Sequence, residues 1–248
     1  MALLAPLVAA LAGCAIVPSD PGSNASAPTG PTSESPEAAR AVAGWEHQRF
    51  PGKNATEFSY VRKDGREAIA AVARSSVSMK RRKLHVPPEA LGELRFSWNV
   101  PDLITKSDMA RRDFDDSPVR VVLVFEGDRS RFSPGDAMLS ELARTLTGEE
   151  MPYATLMYVW CNRRAPGEVI VNPRTSRIRK MVVESGPGNL GRWLSYERDI
   201  RADFQRAFGE PPGALVGVGL MTDSDNTRST ARAWYGALGL SGIELPAR

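Results

Sequence analysis

The chain has 248 residues, of which 42% are hydrophobic and 25% are charged, enough for a sizeable core in one globular domain with appendages. Its net charge of +3 falls short of a nucleic-acid-binding protein, which would show clustered Lys and Arg with interleaved aromatic residues. Two cysteines and two histidines provide no disulfide framework and argue against a zinc site.

The first twenty residues, MALLAPLVAALAGCAIVPSD, have the layout of a secretory signal, with an apolar core followed by small residues. The apolar run from Ala2 to Val17 is shorter than the roughly 20 residues that a membrane-spanning helix needs. Residues 1–13 are therefore expected to be a signal peptide.

The segment LAGC, residues 11–14, resembles the lipobox of bacterial lipoproteins. This resemblance implies cleavage before Cys14 and a lipid on Cys14 that makes the membrane a partner. Ala15 then favours the outer membrane, facing the periplasm, over the inner membrane. The alternative is an ordinary cleaved signal or a cysteine that occurs at this position by chance. Residues 14–40 are rich in Pro, Ser and Gly, so they are expected to form a flexible tether in the cell envelope.

From residue 41 to residue 248, short patterned segments alternate with turn residues. Asp64-Gly65 separates two such segments and is a strong signal for a β-hairpin. In LGELRFSWNVP, residues 91–101, apolar and polar residues alternate as in a half-buried strand. Many short strands at this spacing predict an all-β fold, a sandwich or a barrel.

Two segments break this pattern and predict surface helices. SPGDAMLSELARTLTG offers Ser133 as the N-cap, Pro134 at the first helical position and Gly148 as the stop. RDIRADFQRAFGEPP places apolar residues at helical spacing and ends at Gly209. One or two helices are therefore expected on the surface of the β-sandwich.

Five segments resemble, in order, a bacterial family catalogued as domain of unknown function 3047: LGELRFSWNV, VRVVLVFEGD, LMYVWCN, VVESGPGNLGRWLSYERDIRADFQRAFGEPPG and VGVGLMTDSDNTRSTARAWYG. The resemblance covers roughly Trp45 to Leu238. It implies an envelope domain with a jelly-roll-like β-sandwich, similar in shape to carbohydrate-binding modules, and no established activity. Phe96 departs from the tryptophan usual in the family, and YGALGL lacks the acidic residue that often follows Tyr-Gly.

The segment TLMYVWCN predicts a strand with aromatic side chains on one face. Tyr158, Trp160 and Asn162 alternate with Met157, Val159 and Cys161, which suit a core. If that second face is the buried one, the two rings and Asn162 lie on an open surface suited to stacking sugar rings. The alternative is that both rings belong to the core.

The segment GLMTDSDNTR ends an apolar strand in an acidic turn. Asp223, Asp225 and Asn226 could contact a ligand, and a structural calcium ion is possible there, although Arg228 stands where an EF-hand loop requires glycine. The alternative is that these side chains only bond the local backbone and shape the turn.

These features favour a lipid-anchored envelope protein that binds a glycan or other envelope ligand without chemistry. One alternative is an envelope glycan hydrolase that uses Asp223 and a second carboxylate, although no pair of acids is placed by the sequence at glycosidase separation. A purely structural lipoprotein that binds a protein partner is the other alternative.

Overall fold

A computed structural model describes residues 44–240 and 243–247 of the chain. The expected signal peptide (residues 1–13), the lipidated Cys14 and the tether (residues 14–40) lie outside these residues and stay predictions. Within the described part, neither of the two α-helices has the length and apolarity needed to cross a membrane.

The described strands form two sheets. The order in the first sheet is β1 (Glu46–Arg49), β4 (Val77–Val86), β11 (Leu215–Asp223), β6 (Ser117–Phe125), β7 (Ala154–Cys161), β9 (Ile178–Ser185) and β8 (Val169–Val171). The order in the second sheet is β14 (Ile243–Leu245), β13 (Leu238–Leu240), β5 (Glu93–Asn99), β12 (Thr230–Tyr235), β3 (Arg66–Arg74) and β2 (Glu57–Lys63), and β10 (Trp193–Asp199) also pairs with β5.

The hairpin predicted at Asp64-Gly65 is confirmed. β2 and β3 pair antiparallel from Lys63 and Arg66 onward, so the connection has two residues. Asp64 has φ 53° and Gly65 has φ 79°. Two consecutive left-handed residues are the mark of a type I′ turn, whose twist matches that of the strands, and Asp-Gly tolerates this conformation well.

One strand pair differs from the all-antiparallel arrangement of the others. β7 and β9 run parallel, whereas the sequence showed no sign of parallel pairing. The chain reverses twice, through the short β8, which pairs antiparallel with the far edge of β9. Two reversals bring β9 back in the direction of β7, so no crossover helix is needed.

The two sheets pack face to face over one core. The alternation predicted for LGELRFSWNVP is confirmed, because Leu94, Phe96 and Trp98 of β5 are at most 3% exposed and join the same apolar cluster as β6 and β7. Phe96 stacks on Tyr158 of β7, with ring centres 5.5 Å apart. This contact joins the inner faces of the second and first sheets directly.

Two α-helices lie outside the sheets, as predicted. α1 (Pro134–Thr147) begins at the N-cap Ser133, whose Oγ accepts a hydrogen bond from the backbone N–H of Asp136, and ends at Gly148 with φ 76°. α2 (Ile200–Phe208) packs Phe204 against Phe125 of β6, with ring centres 4.7 Å apart. The chain is therefore a jelly-roll-like β-sandwich with two surface helices.

Candidate functional site

The aromatic residues of β7 lie in the core. Tyr158 is 0% exposed and Trp160 is 1% exposed. The hydroxyl of Tyr158 donates to Asp203 Oδ2 at 2.9 Å, and the indole N–H of Trp160 donates to the carbonyl of Gly186 at 3.0 Å. This corrects the placement of both rings on an open face, since neither offers a surface on which a sugar could stack.

The facing of β7 is the reverse of the one predicted from its residue types. Val159 and Cys161 are also buried, but on the outer side of the sheet, where they pack in a smaller apolar cluster with Ile170 of β8 and with Met109 from the loop before β6. Both sides of the strand are thus apolar and covered, so periodicity could not tell which side met the other sheet. The burial predicted for Cys161 is confirmed.

Asn162 follows β7 and fastens the loop that covers its outer side. Its Nδ2 donates to the carbonyl oxygens of Ile104, at 2.8 Å, and Ser107, at 3.3 Å. The side-chain amide of Asn162, which the sequence predicted to contact a ligand, is therefore bound to the protein's own backbone. These bonds hold a loop segment that is not part of a strand.

Asp223, the first acid of the turn after β11, is a buried partner of Arg120 on β6. Arg120 Nη2 lies 2.8 Å from Asp223 Oδ2 and Nε lies 3.0 Å from Oδ1, so the guanidinium binds the carboxylate with two bonds. The backbone N–H of Ser117 also donates to Oδ1. Burial raises the pKa of Asp223 to about 7, and the positive charge of Arg120 opposes this rise.

Two further charged groups extend this pair into a buried network. Arg120 Nη2 also lies 3.1 Å from Asp115 Oδ1, and Lys180 Nζ of β9 lies 2.5 Å from Asp115 Oδ2. Lys180 is 0% exposed. Burial, together with repulsion from Arg120, lowers the pKa of Lys180 to about 8. Alternating positive and negative groups thus link β11, β6, the segment before β6 and β9.

Two further residues of the turn, Asn226 and Thr227, bind Asp116. Its Oδ2 accepts hydrogen bonds from the backbone N–H and the hydroxyl of Thr227, and its Oδ1 accepts from the backbone N–H and Nδ2 of Asn226. Asp225 forms an ion pair with Lys53. The turn is therefore tied to the start of β6 and to the loop after β1.

Carboxylate oxygens of Asp116, Asp223 and Asp225 lie within 4.8 Å of one another, the one such grouping of possible metal ligands in the described part of the chain. Each of the three carboxylates already has protein donors: backbone and side-chain groups on Asp116, Arg120 on Asp223 and Lys53 on Asp225. A cation would have to replace these contacts. They support the interpretation in which the acids shape the turn, and calcium binding stays a prediction.

The solvent-facing side of the second sheet carries the two tryptophans that are not buried. Asn99 of β5 is paired with Trp193 of β10 on one side and with Trp234 of β12 on the other. Directly opposed residues point to the same side of a sheet. Because Trp98, the neighbour of Asn99, points into the core, these three side chains lie on the outer side of the sheet. Asn99 is nevertheless 1% exposed, and its Nδ2 donates to the carbonyl of Gly191 at 3.0 Å, so the accessible groups of the three are the two indole rings.

The same row continues across β3 and β2. Trp234 is paired with Ala70, and Ala70 is paired with Ser59. We call this row, consisting of Trp193, Asn99, Trp234, Ala70 and Ser59, the tryptophan face. Trp193 and Trp234 are half-buried. The side chains beyond Trp234, those of Ala70 and Ser59, are small, so the ring of Trp234 projects above the neighbouring sheet surface.

A second row beside the tryptophan face is also small. Ser195 is paired with Ser97, and Gly236 donates its backbone N–H to the carbonyl of Ser97. A Cβ atom at Gly236 would lie 2.2 Å from Ser97 Oγ and 3.6 Å from the ring of Trp193. A side chain at position 236 would therefore displace the hydroxyl group of Ser97.

Two cations from the β2–β3 hairpin lie over the rings. Lys63 Nζ is 5.2 Å from the ring centre of Trp234, and Arg66 Cζ is 5.5 Å from that of Trp193. The indole N–H of Trp193 is buried and has no hydrogen-bond partner. The site therefore combines two aromatic rings, flexible cations and hydroxyl groups on one sheet surface.

The sequence did not indicate the tryptophan face. Trp193 and Trp234 are far apart in sequence, and only their common pairing with Asn99 brings them together. The network around Arg120 did leave a signal, since one arginine stands in the otherwise apolar PVRVVLVF and follows the pair Asp115-Asp116. A charge inside an apolar strand requires a buried partner.

Comparison with solved structures gives distant likenesses. The family 11 carbohydrate-binding module of the cellulosomal cellulase Lic26A-Cel5E of Clostridium thermocellum is 8% identical, over 81% of this chain and 88% of that chain, with a TM-score of 0.39. The xyloglucanase domain of NopAA, a type three effector from Sinorhizobium fredii, is 11% identical, over 82% and 94%, with a TM-score of 0.40. At this level neither carries an argument about what this chain binds.

Comparison with curated proteins finds no match. A family model does match: its description is protein of unknown function, DUF3047, and it covers residues 43–239. That range contains both α-helices, the buried charge network and the tryptophan face, and it confirms the resemblance seen in the sequence. The chain belongs to the DUF3047 family.

Proposed function

We propose that this chain is a lipid-anchored protein of the cell envelope that binds a glycan on the tryptophan face and performs no chemistry on it. The observation that carries the proposal is the pair of half-buried rings, Trp193 and Trp234, on either side of the buried Asn99 on the outer side of the second sheet. Lipid attachment at Cys14 is a separate part of the proposal and rests on the sequence of residues 11–14.

The chemistry of the face suits a sugar. Indole rings offer flat apolar surfaces with a polar N–H, and they favour ligands that present C–H groups on one side and hydroxyl groups at the edge. Ser97 and Ser195 lie in the next row and supply hydroxyl groups that can donate and accept hydrogen bonds. A sheet surface places these groups rigidly, which limits the entropy lost on binding.

The cations over the rings do not close the site. Lys63 and Arg66 have long side chains, and a cation–π contact at an exposed site contributes only about 0.5–1 kcal/mol. A sugar ring that takes their place stacks on the same indole surfaces. The displaced ammonium or guanidinium group can then donate hydrogen bonds to hydroxyl oxygens of the same ligand.

The hydrolase alternative is less compatible with the burial of its proposed acid. Asp223 is 3% exposed and Asp116 is 0% exposed, so a substrate could reach them only if the turn opened. On the side of the sheet that carries the tryptophan face, Glu197 is paired with Arg95 at 2.9 Å. The binding of a glycan without cleavage therefore fits the described residues better.

Affinity electrophoresis through gels containing neutral and acidic envelope polysaccharides tests the binding directly. We expect at least one polysaccharide to retard the native protein. Trp193→Ala and Trp234→Ala should each weaken that retardation strongly, by about 2 kcal/mol or more if the rings are energetic centres of the contact. Tyr60→Ala is the matched control, because Tyr60 is an exposed aromatic residue outside the tryptophan face.

Three results would reject the proposed site. One is the absence of retardation by every polysaccharide in the panel. Another is retardation that survives both tryptophan substitutions. A third is equal loss with Tyr60→Ala, which would show a nonspecific effect of removing surface aromatic area.

A further inference from the structure

Helix α1 turns its apolar side away from the protein. Met138, Leu142 and Leu146 recur every four residues, so they lie along one side of the helix. They are 70%, 52% and 61% exposed, whereas the side chains of Asp136 and Ser140 are buried against the body. This is the reverse of an ordinary surface helix, whose apolar stripe faces the core.

Polar contacts fix the helix in this orientation at its N-terminal end. Asp136 accepts hydrogen bonds from the hydroxyls of Thr175 and Ser176, the latter at 2.7 Å, and from the N-cap Ser133 at 2.8 Å. Rotating the helix to bury its leucines would remove the buried carboxylate from Thr175 and Ser176, the two donors that lie outside the helix. The outward stripe is therefore a consequence of specific bonds.

A second set of contacts fixes the C-terminal end beside the place where the described chain begins. Glu149, just after α1, accepts from Arg81 at 2.7 Å and from Lys83 at 3.1 Å. Arg81 also lies 3.5 Å from Glu46, at the start of β1. The segment that carries the expected lipid at Cys14 thus joins the sandwich next to the end of the apolar stripe.

We propose that Met138, Leu142 and Leu146 insert into the surface of the membrane that holds the lipid anchor, with α1 lying parallel to the bilayer. We call these three residues the membrane stripe. The proposal rests on the proposed lipid attachment. The proposal also gives the β-sandwich an orientation relative to the bilayer. With the membrane stripe as a second contact, the sandwich lies against the bilayer and is not held by the tether alone.

The size of the stripe favours a lipid surface over a second copy of the chain. A stable protein interface buries about 800 Å² on each partner and uses about 20–30 residues per side. The three side chains of the membrane stripe lie along about 12 Å of helix, and Val171 of β8, which is 46% exposed, lines the same surface depression as Met138. Insertion into a lipid surface needs no complementary shape, and it depends on the apolar area that an amphipathic helix can bury.

Flotation with phosphatidylethanolamine–phosphatidylglycerol vesicles tests the stripe independently of the anchor. The test uses a chain that begins at Ser19, since the buried apolar residues of the sandwich lie between Trp45 and Ala247. We expect this chain to float with the vesicles. Combined Met138→Ser, Leu142→Ser and Leu146→Ser substitutions should reduce the bound fraction at least tenfold. Tyr60→Ser, which removes another exposed apolar side chain, should leave it unchanged.

A labelled variant keeps the test decisive if the triple variant folds poorly. Leu142→Cys carrying an environment-sensitive fluorophore should shift to the blue when vesicles are added, whereas Ser195→Cys, on the second sheet, should not. Failure of the parent chain to float, or an unshifted label at position 142, would overturn the proposal. A parent dimer that the triple substitution converts to a monomer, without vesicle binding, would assign the stripe to a second copy instead. If the protein carries no lipid at Cys14, only the cell fractionation of the full chain would change, because the vesicle experiment uses a chain that lacks Cys14.

Discussion

Arg120 and Asp223 form a buried ion pair between two central strands of the first sheet. Their side chains are 3% and 4% exposed, and two N–O contacts of 2.8 and 3.0 Å join them. The pair links β6 to the turn that the sequence marks as acidic. It explains why that turn carries a carboxylate at the end of an apolar strand.

Removing Arg120 should therefore destabilise the fold strongly. Arg120→Met leaves Asp223 and Asp115 buried without their main cation, and such losses cost about 3–5 kcal/mol. Urea unfolding followed by circular dichroism measures the change. Lys53→Met removes the exposed partner of Asp225 and should cost less than about 1 kcal/mol. Equal costs for the two variants would contradict the structural role given to the buried network.

The acidic turn should not need a metal ion. A bound ion stabilises the folded state by mass action, so chelation would lower the melting temperature if one were held. Because Asp116, Asp223 and Asp225 already have protein donors, we expect chelator to leave the melting temperature unchanged. A chelator-dependent drop that disappears in Asp225→Asn would establish a calcium site and reject the turn-shaping interpretation.

The lipid anchor makes a separate prediction in cells. Cys14→Ser removes the thiol to which the lipid would be attached, so the variant should move from the membrane to the soluble periplasmic fraction when made at the same level. Cys161→Ser is the matched control, because Cys161 is buried and does not belong to the sequence that resembles a lipobox. Continued membrane association of Cys14→Ser at full strength would show that the lipobox interpretation is wrong.

The contact that holds the end of α1 should depend on pH. Hydrogen bonds from Arg81 and then Lys83 lower the pKa of Glu149 from 4.5 to about 2. A lowered folded-state pKa contributes stability that is fully present above about pH 4.5 and is lost as the pH falls toward 2.

Glu149→Gln should thus lower the free energy of unfolding at pH 7, by less than about 1 kcal/mol because the carboxylate is half exposed. The difference from the native protein should shrink at pH 3. Urea midpoints at the two pH values provide the comparison. A difference that grows on acidification would have the opposite sign from the one expected for this ion pair.

Local patterns in the sequence predicted much of the fold. Asp64-Gly65 specified a two-residue hairpin, because only a few residues tolerate two left-handed positions. The alternation in β5 located its buried face, since Glu93 and Arg95 on the other side are exposed. Ser133 and Gly148 marked the ends of α1 through hydrogen bonds that depend on neighbouring residues alone.

The candidate site could not be predicted in the same way. β7 is apolar on both sides, so its pattern did not say that Tyr158 and Trp160 face the other sheet. The tryptophan face depends on strand register between distant segments, and no local pattern encodes the meeting of Trp193 with Trp234. The sequence also could not predict that the apolar side of α1 faces solvent, because this orientation depends on a contact between Asp136 and a loop distant in sequence.

The indole N–H signals of the five tryptophans, followed by two-dimensional nitrogen–proton NMR, test the central claim most directly. Single Trp→Phe variants assign the signals, and the ligand is an oligosaccharide from the polysaccharide that retards the protein most. We predict that the signals of Trp193 and Trp234 shift with ligand concentration, whereas those of the buried Trp45, Trp98 and Trp160 stay in place. A shift of Trp160 alone, or no shift of Trp193 and Trp234 at a concentration that saturates binding, would contradict the tryptophan face as the glycan site.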